Sequence, residues 1–211
     1  WALKASAQRN RLYATSSGDD GFDAAMRALE LDANLAEAHA AKAGVLASQG
    51  DYPGALAAIA TALRLDPQSV DVHREAGRLA MHERRLLDAT MHFERVFTEV
   101  ETDISCGGLL ITCYSALGDE AALRRTAQRT LERAEKAVAK DADNGSAMAS
   151  LFSALLILGE PERAKEWARR AVLIDPDNLG MRYNLACDLI VGLKDHEMAL
   201  DMLEPVFRAG G

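Results

Sequence analysis

No stretch of this chain approaches about eighteen consecutive apolar residues, so it carries no membrane-spanning helix of ordinary length. Aromatic residues are scarce at 5%, while alanine is abundant, a balance that favours close-packed helices over a β-sandwich. Positive charge is also short: 24 Lys and Arg face 32 Asp and Glu, a net charge of −8. That deficit argues against a general nucleic-acid binder, which needs a basic face, and against docking on an anionic membrane. The three cysteines, Cys106, Cys113 and Cys187, have no CxxC spacing. They read as buried free thiols of a reducing, cytoplasmic protein, with a redox or metal role as the alternative. The five histidines form no HExxH or Cys/His zinc spacing, and GxSxG, Walker and GxGxxG motifs are missing, so neither catalysis nor a cofactor or metal is expected. Trp1 opens the chain without a Met or a signal-peptide layout, which suggests a piece of something longer.

What is present is a phrase that returns. Leu65-Asp66-Pro67 closes one helical stretch and Ile174-Asp175-Pro176 another, each Pro lying 17 residues after a turn glycine, Gly50 or Gly159. Ala55 and Ala62 fall between turn and phrase in one copy, and Ala164 and Ala171 in the other. A fixed period with small residues at fixed places marks a stacked helical array. Aligning the turns yields units at 36–69, 70–103, 104–144, 145–178 and 179–209, preceded by a partial unit at about 2–35. Gly50 to Gly118 spans two periods of 34, but Gly118 to Gly159 spans 41. The surplus of seven is about two helical turns and returns the apolar stripe to nearly the same face. It predicts an elongated second helix over about Asp119 to Lys140, either projecting as a contact surface or standing as a solvated extension. Thr98 to Ile104, polar and acidic, reads as a loose connection. Asp19-Asp20 and Asp141/Asp143 read as helix caps in turns. His39 and His73 share the fourth place of their units and read as packing residues; His82 and His92 are expected at the surface.

The pattern resembles the tetratricopeptide repeat family over nearly the whole chain. In the unit from Ala36 the family's characteristic places hold His39, Lys42, Ala43, Leu46, Ala55, Ile59, Ala62 and Pro67. In the unit from Gly145 they hold Met148, Leu151, Phe152, Leu155, Ala164, Ala168, Ala171 and Pro176. Second-helix places match well, whereas first-helix places depart, most of all at Lys42. The resemblance implies an all-α, right-handed superhelical solenoid of antiparallel helix pairs that binds protein or peptide along a concave groove lined by the first helices. Carried onto this chain, that groove takes Arg74 and Arg78, Thr112 and Ser115, Ser150 and Ser153, and Tyr183 and Asn184. Arg74 and Arg78, one turn apart, could hold a carboxylate of an acidic peptide; the other reading pairs them with Asp71 and Glu75 on their own helix. The family's clamp for chaperone tails is not reproduced, because Ala40 and Gly44 stand where its first Lys and Asn would be.

Tyr183-Asn184-Leu185-Ala186-Cys187, followed by His196-Glu197-Met198-Ala199-Leu200, is similar to the C-terminal repeats of bacterial class III adenylate cyclase-type signalling proteins. That implies a cytoplasmic regulatory or scaffolding module beside an enzyme domain. A free-standing scaffold for a secretion or envelope complex is the alternative. The end at Arg208-Ala209-Gly210-Gly211 lacks an obvious polar cap, which invites self-association through the C-terminal face.

Overall fold

The computed structural model describes residues 1–15 and 21–209. The expected Asp19-Asp20 cap and the terminal Gly210-Gly211 lie outside them. Twelve α-helices and no strand occur among the described residues. The chain divides into two compact units, one ending at Val100 and the next beginning at Glu101.

The first unit holds α1 (Ala2–Thr15), α2 (Phe22–Leu31), α3 (Ala36–Ser48), α4 (Tyr52–Leu65), α5 (Val70–His82) and α6 (Leu86–Glu99). The second holds α7 (Ser105–Leu117), α8 (Glu120–Lys140), α9 (Gly145–Leu158), α10 (Pro161–Ile174), α11 (Leu179–Asp188) and α12 (His196–Ala209). Helices pack closely within the pairs α3/α4, α5/α6, α7/α8, α9/α10 and α11/α12, and first helices also touch their like: α3 on α5, α7 on α9, α9 on α11. This is the neighbour pattern of a helical solenoid, in which no pair can bury its apolar face alone.

Local chemistry accounts for the joints. The turn inside each pair needs one residue with positive φ, supplied by Gly50, Gly118 and Gly159, but by Arg84 in the pair α5/α6 and Lys194 in α11/α12. From Gly159 to Lys194 is 35 residues, one more than the period. The extra residue is absorbed by a π-helical stretch, Leu189–Leu193, at the end of α11. Side chains of Asp51, Asp119 and Asn144 accept the backbone N–H three residues on and cap α4, α8 and α9. Between pairs, Asp32, Asp66 and Asp141 each take the backbone N–H two residues ahead. Val100 occupies the matching place at the unit boundary and offers no such acceptor.

The cores differ in grain. Around α3 to α5 the buried residues are mostly alanines, such as Ala40, Ala55, Ala62 and Ala76, with Ile59, Val72 and Leu79. Gly77 permits a close approach between helices: a Cβ on it would lie 2.6 Å from the fully buried Phe93 ring. Larger side chains fill the second unit, among them Met148, Leu151, Phe152, Leu155, Leu185 and Leu189.

Three expectations need correction. The elongated helix α8 buries a stripe from Ala122 to Val138, with Ala134 fully inside, so neither end projects as a free arm. Thr98 and Glu99 belong to α6, and the connection after them is tied down: Asp103 accepts from the Cys106 N–H through its carboxylate and from Arg133 through its carbonyl. His92 is half-buried rather than at the surface.

Candidate functional site

The first helices of each unit, set side by side, form two candidate surfaces of different character. In the first unit, α5 carries Asp71, Arg74, Glu75 and Arg78. The Arg74 guanidinium hydrogen-bonds the Asp71 carboxylate, and Arg78 stands 3.5 Å from Glu75. The structure therefore shows the intrahelical pairing that was one of the two readings of this Arg pair. The partly exposed Arg74–Asp71 contact contributes only about 0.3–0.5 kcal/mol, so an incoming carboxylate can displace it at small cost, whereas Glu75 is buried and holds Arg78 more firmly.

In the second unit, α7 and α9 contain no charged residue at all. Thr112 and Ser115 on α7 are exposed, and Ser150 and Ser153 on α9 are half-buried. The Thr112 and Ser150 hydroxyls turn back to carbonyls one turn earlier, those of Gly108 and Ser146. Ser153 is near the Ala149 carbonyl at 3.5 Å but also reaches across to α11 and donates to the Asp188 carboxylate at 2.5 Å. Burial pushes the Asp188 pKa up from the ordinary carboxylate value. Tyr183 and Asn184 are exposed on α11, one turn before Cys187 and Asp188. A side-chain hydrogen bond with Cys187 raises the pKa of the Tyr183 phenol. Arg74 and Arg78 belong to the first unit and the other six predicted residues to the second.

Sequence reasoning missed a repeated device. The fourth residue of three units reaches six residues back to a carbonyl of the preceding turn: His39 to Ala33 at 2.9 Å, His73 to Pro67 at 3.0 Å, and Arg182 to Pro176 at 2.6 Å. Where that place holds the apolar Met148, Arg170 from α10 approaches the matching carbonyl of Ala142 at 3.5 Å. The signal was a polar residue recurring at one repeat place. His39 and His73 thus do more than pack: they hold the turn through which each unit enters its first helix.

His73 has a second partner. Its Nδ1 lies 2.8 Å from His92 Nδ1 on α6. With the His73 Nε2–H donated to Pro67, its Nδ1 accepts, and His92 donates. Burial, reinforced by His73, lowers the His92 pKa. His82 is exposed as expected, yet stacks on Tyr52 with ring centroids 4.4 Å apart and hydrogen-bonds its hydroxyl.

Cys106 and Cys113 are buried free thiols, and burial pushes the Cys113 thiol up. Among the described residues no group of three or more His, Cys, Asp or Glu side chains is placed to hold a metal ion. No helix among them is long and apolar enough to cross a membrane.

Solved structures share this fold. The crystal structure of YrrB, a TPR protein with an unusual peptide-binding site, is 20% identical, covering 88% of this chain and 92% of that one with a TM-score of 0.52. Pseudomonas aeruginosa pilF is 17% identical over 98% of this chain and 90% of its own, with a TM-score of 0.58. Human IFIT1, solved as a dimer with m7Gppp-AAAA, is 16% identical with a TM-score of 0.69; the match spans 99% of this chain but 49% of that one. No curated protein sequence matches the chain. Residues 153–178, from the end of α9 through α10, match the tetratricopeptide repeat family model, and the paired helices packed on either side of them have the fold of tetratricopeptide repeat proteins.

Proposed function

We propose that this chain is a non-catalytic interaction module that holds an extended peptide or protein segment against its first helices. The observation that carries this reading is the open face of α7, α9 and α11, where small hydroxyl-bearing side chains lie on a wall almost free of charge. Such a wall admits a backbone closely and offers it hydrogen bonds without imposing one side-chain chemistry. Thr112, Ser115, Ser150, Ser153, Tyr183 and Asn184 are the proposed contacts in the second unit. In the first unit Arg74 and Arg78 would exchange their intrahelical partners for a ligand carboxylate.

The Tyr-Asn-Leu-Ala-Cys stretch at 183–187 favours a cytoplasmic, regulatory or scaffolding place in a bacterial adenylate cyclase-type signalling protein. A free-standing scaffold for a secretion or envelope complex is the second reading. A cyclase domain encoded beside this region in the full-length gene decides for the first, and its absence for the second. Self-association through the C-terminal face would use exposed Leu200 and Phe207, which line a shallow pocket with Asp201, Glu204 and Arg208.

Affinity capture from bacterial lysate tests the interaction reading. A partner held by the native chain and released by Ser150→Trp, which puts a bulky ring on the α9 face, supports it. A partner unaffected by both Ser150→Trp and Arg74→Glu/Arg78→Glu refutes the first-helix surfaces as the binding site and directs attention to the α12 face.

A further inference from the structure

The first helices of the second unit carry two charges, Arg182 and Asp188. Arg182 is buried, with its Nε donating to the Pro176 carbonyl, and is spent on the fold. Asp188 is different. It is half-buried, and among the described residues its one hydrogen-bond donor is the Ser153 hydroxyl; no Lys, Arg or His pairs with it. The unit does not lack basic side chains, for α8 and α10 carry ten Lys and Arg between them, but those helices are the second members of their pairs. Asp195, seven residues on, shows what a satisfied carboxylate in this unit looks like. It takes the Lys165 ammonium at 2.7 Å and the Met198 N–H, and its pKa is held below the usual value.

A half-buried carboxylate with a single neutral donor is costly, and burial raises its pKa accordingly. Removing the charge would remove the cost, yet here the side chain is oriented by a hydroxyl from the neighbouring helix, 35 residues away in sequence. Ser153 uses one oxygen, leaving the second carboxylate oxygen without a donor among the described residues. The neighbouring first helices α7 and α9 hold no charged residue to compete for it.

We infer that Asp188, positioned by Ser153, is a recognition point for a cationic side chain, Arg or Lys, of an extended partner peptide lying on α7, α9 and α11. A guanidinium or ammonium group supplies both the missing donor and the missing counter-charge. With no other carboxylate on α7, α9 or α11, the charge-assisted hydrogen bond at Asp188 is what distinguishes a cationic side chain from a neutral one. The inference rests on the proposed use of this face for peptide binding and adds to it the class of side chain that is read.

The test uses the full chain, fluorescently labelled, against bead-displayed libraries of randomised peptides whose central residue is fixed as Arg, Lys, citrulline or Glu. The expected result is retention on the Arg and Lys pools about tenfold above the citrulline and Glu pools, the scale of one charge-assisted hydrogen bond. Asp188→Asn keeps the shape and the Ser153 contact but loses the charge; it should erase the preference. Glu162→Gln, at an exposed carboxylate on α10 outside the proposed contacts, should leave it intact. Equal retention on all pools, or a preference that survives Asp188→Asn, overturns the cation assignment. In that case loss of retention on Ser150→Trp shows that the face still binds peptide. No retention of the native chain on any pool overturns both readings together.

Discussion

The two units use one scaffold for opposite surfaces. In the first, α5 presents four charges that satisfy one another within a helical turn. In the second, α7 and α9 present none, and the lone unpaired carboxylate of Asp188 is met by a hydroxyl instead. Positions that face a neighbouring helix are constrained by packing, whereas the open face of a first helix tolerates any polarity. The helical-pair frame therefore says little about the ligand; the charges left over after internal pairing say more. A second contrast runs through the cores, alanine-rich around α3 to α5 and built of larger side chains around α9 and α11.

The core contrast can be broken most severely at its largest side chains. Phe93→Ala in the first unit and Phe152→Ala in the second each empty a site of zero exposure and should cost about 3–5 kcal/mol in urea unfolding. Phe93 packs on Gly77, which has no side chain to close the gap, so Phe93→Ala should stand at the upper end. Equal losses would show that the grain of the core does not matter.

Two first-helix glycines sharpen the same comparison. A Cβ at Gly77 would lie 2.6 Å from the Phe93 ring, whereas one at Gly108 meets nothing within 4 Å. Gly77→Ala should destabilise by about 1–3 kcal/mol through overpacking. Gly108→Ala should instead stabilise α7 by up to about 1 kcal/mol through helix propensity. Thermal melts of the two variants should move in opposite directions. Smaller still is the effect at the turns: Arg84 stands at φ 63°, where its counterpart Gly118 stands at φ 71°. Arg84→Gly should gain about 0.5–1 kcal/mol, and Gly118→Arg should lose a similar amount.

His92 in the first unit and Asp188 in the second should also answer pH with opposite signs. The folded-state pKa of His92 is lowered from 6.5, mainly by burial. Below that value the unfolded chain binds the proton more readily, so the first unit loses stability as pH falls. Asp188 has a folded-state pKa raised from 3.8 by burial. The folded chain then takes up the proton first, so this group adds stability as pH is lowered through its folded pKa. Urea midpoints of His92→Gln and Asp188→Asn across pH 4–8 should flatten these two slopes separately; a shared response would refute the assignment.

Much of the frame was legible in the chain. Turn glycines, closing Asp-Pro phrases and the seven-residue surplus mark features set by local chemistry, and the long helix appears as Glu120–Lys140. The candidate site was legible only in part. Arg74 and Arg78 could be placed on one helix, but spacing alone allowed either a ligand or their own neighbours as partners. Asp188 escaped notice, because a single acidic residue late in a helix has no motif. The hydrogen bonds of His39, His73 and Arg182 also went unread, since their repeat place suggested packing.

By itself the sequence determined the helices, their period, their caps and the small residues that let them approach, because each depends on neighbours within a turn or two of chain. Tertiary structure alone decided which charges are consumed and which are left. Ser153 meets Asp188, His73 meets His92 and Lys165 meets Asp195 only once separate helices are packed. Electrostatic satisfaction depends on distance and burial in space, and neither is written in the spacing of residues along the chain.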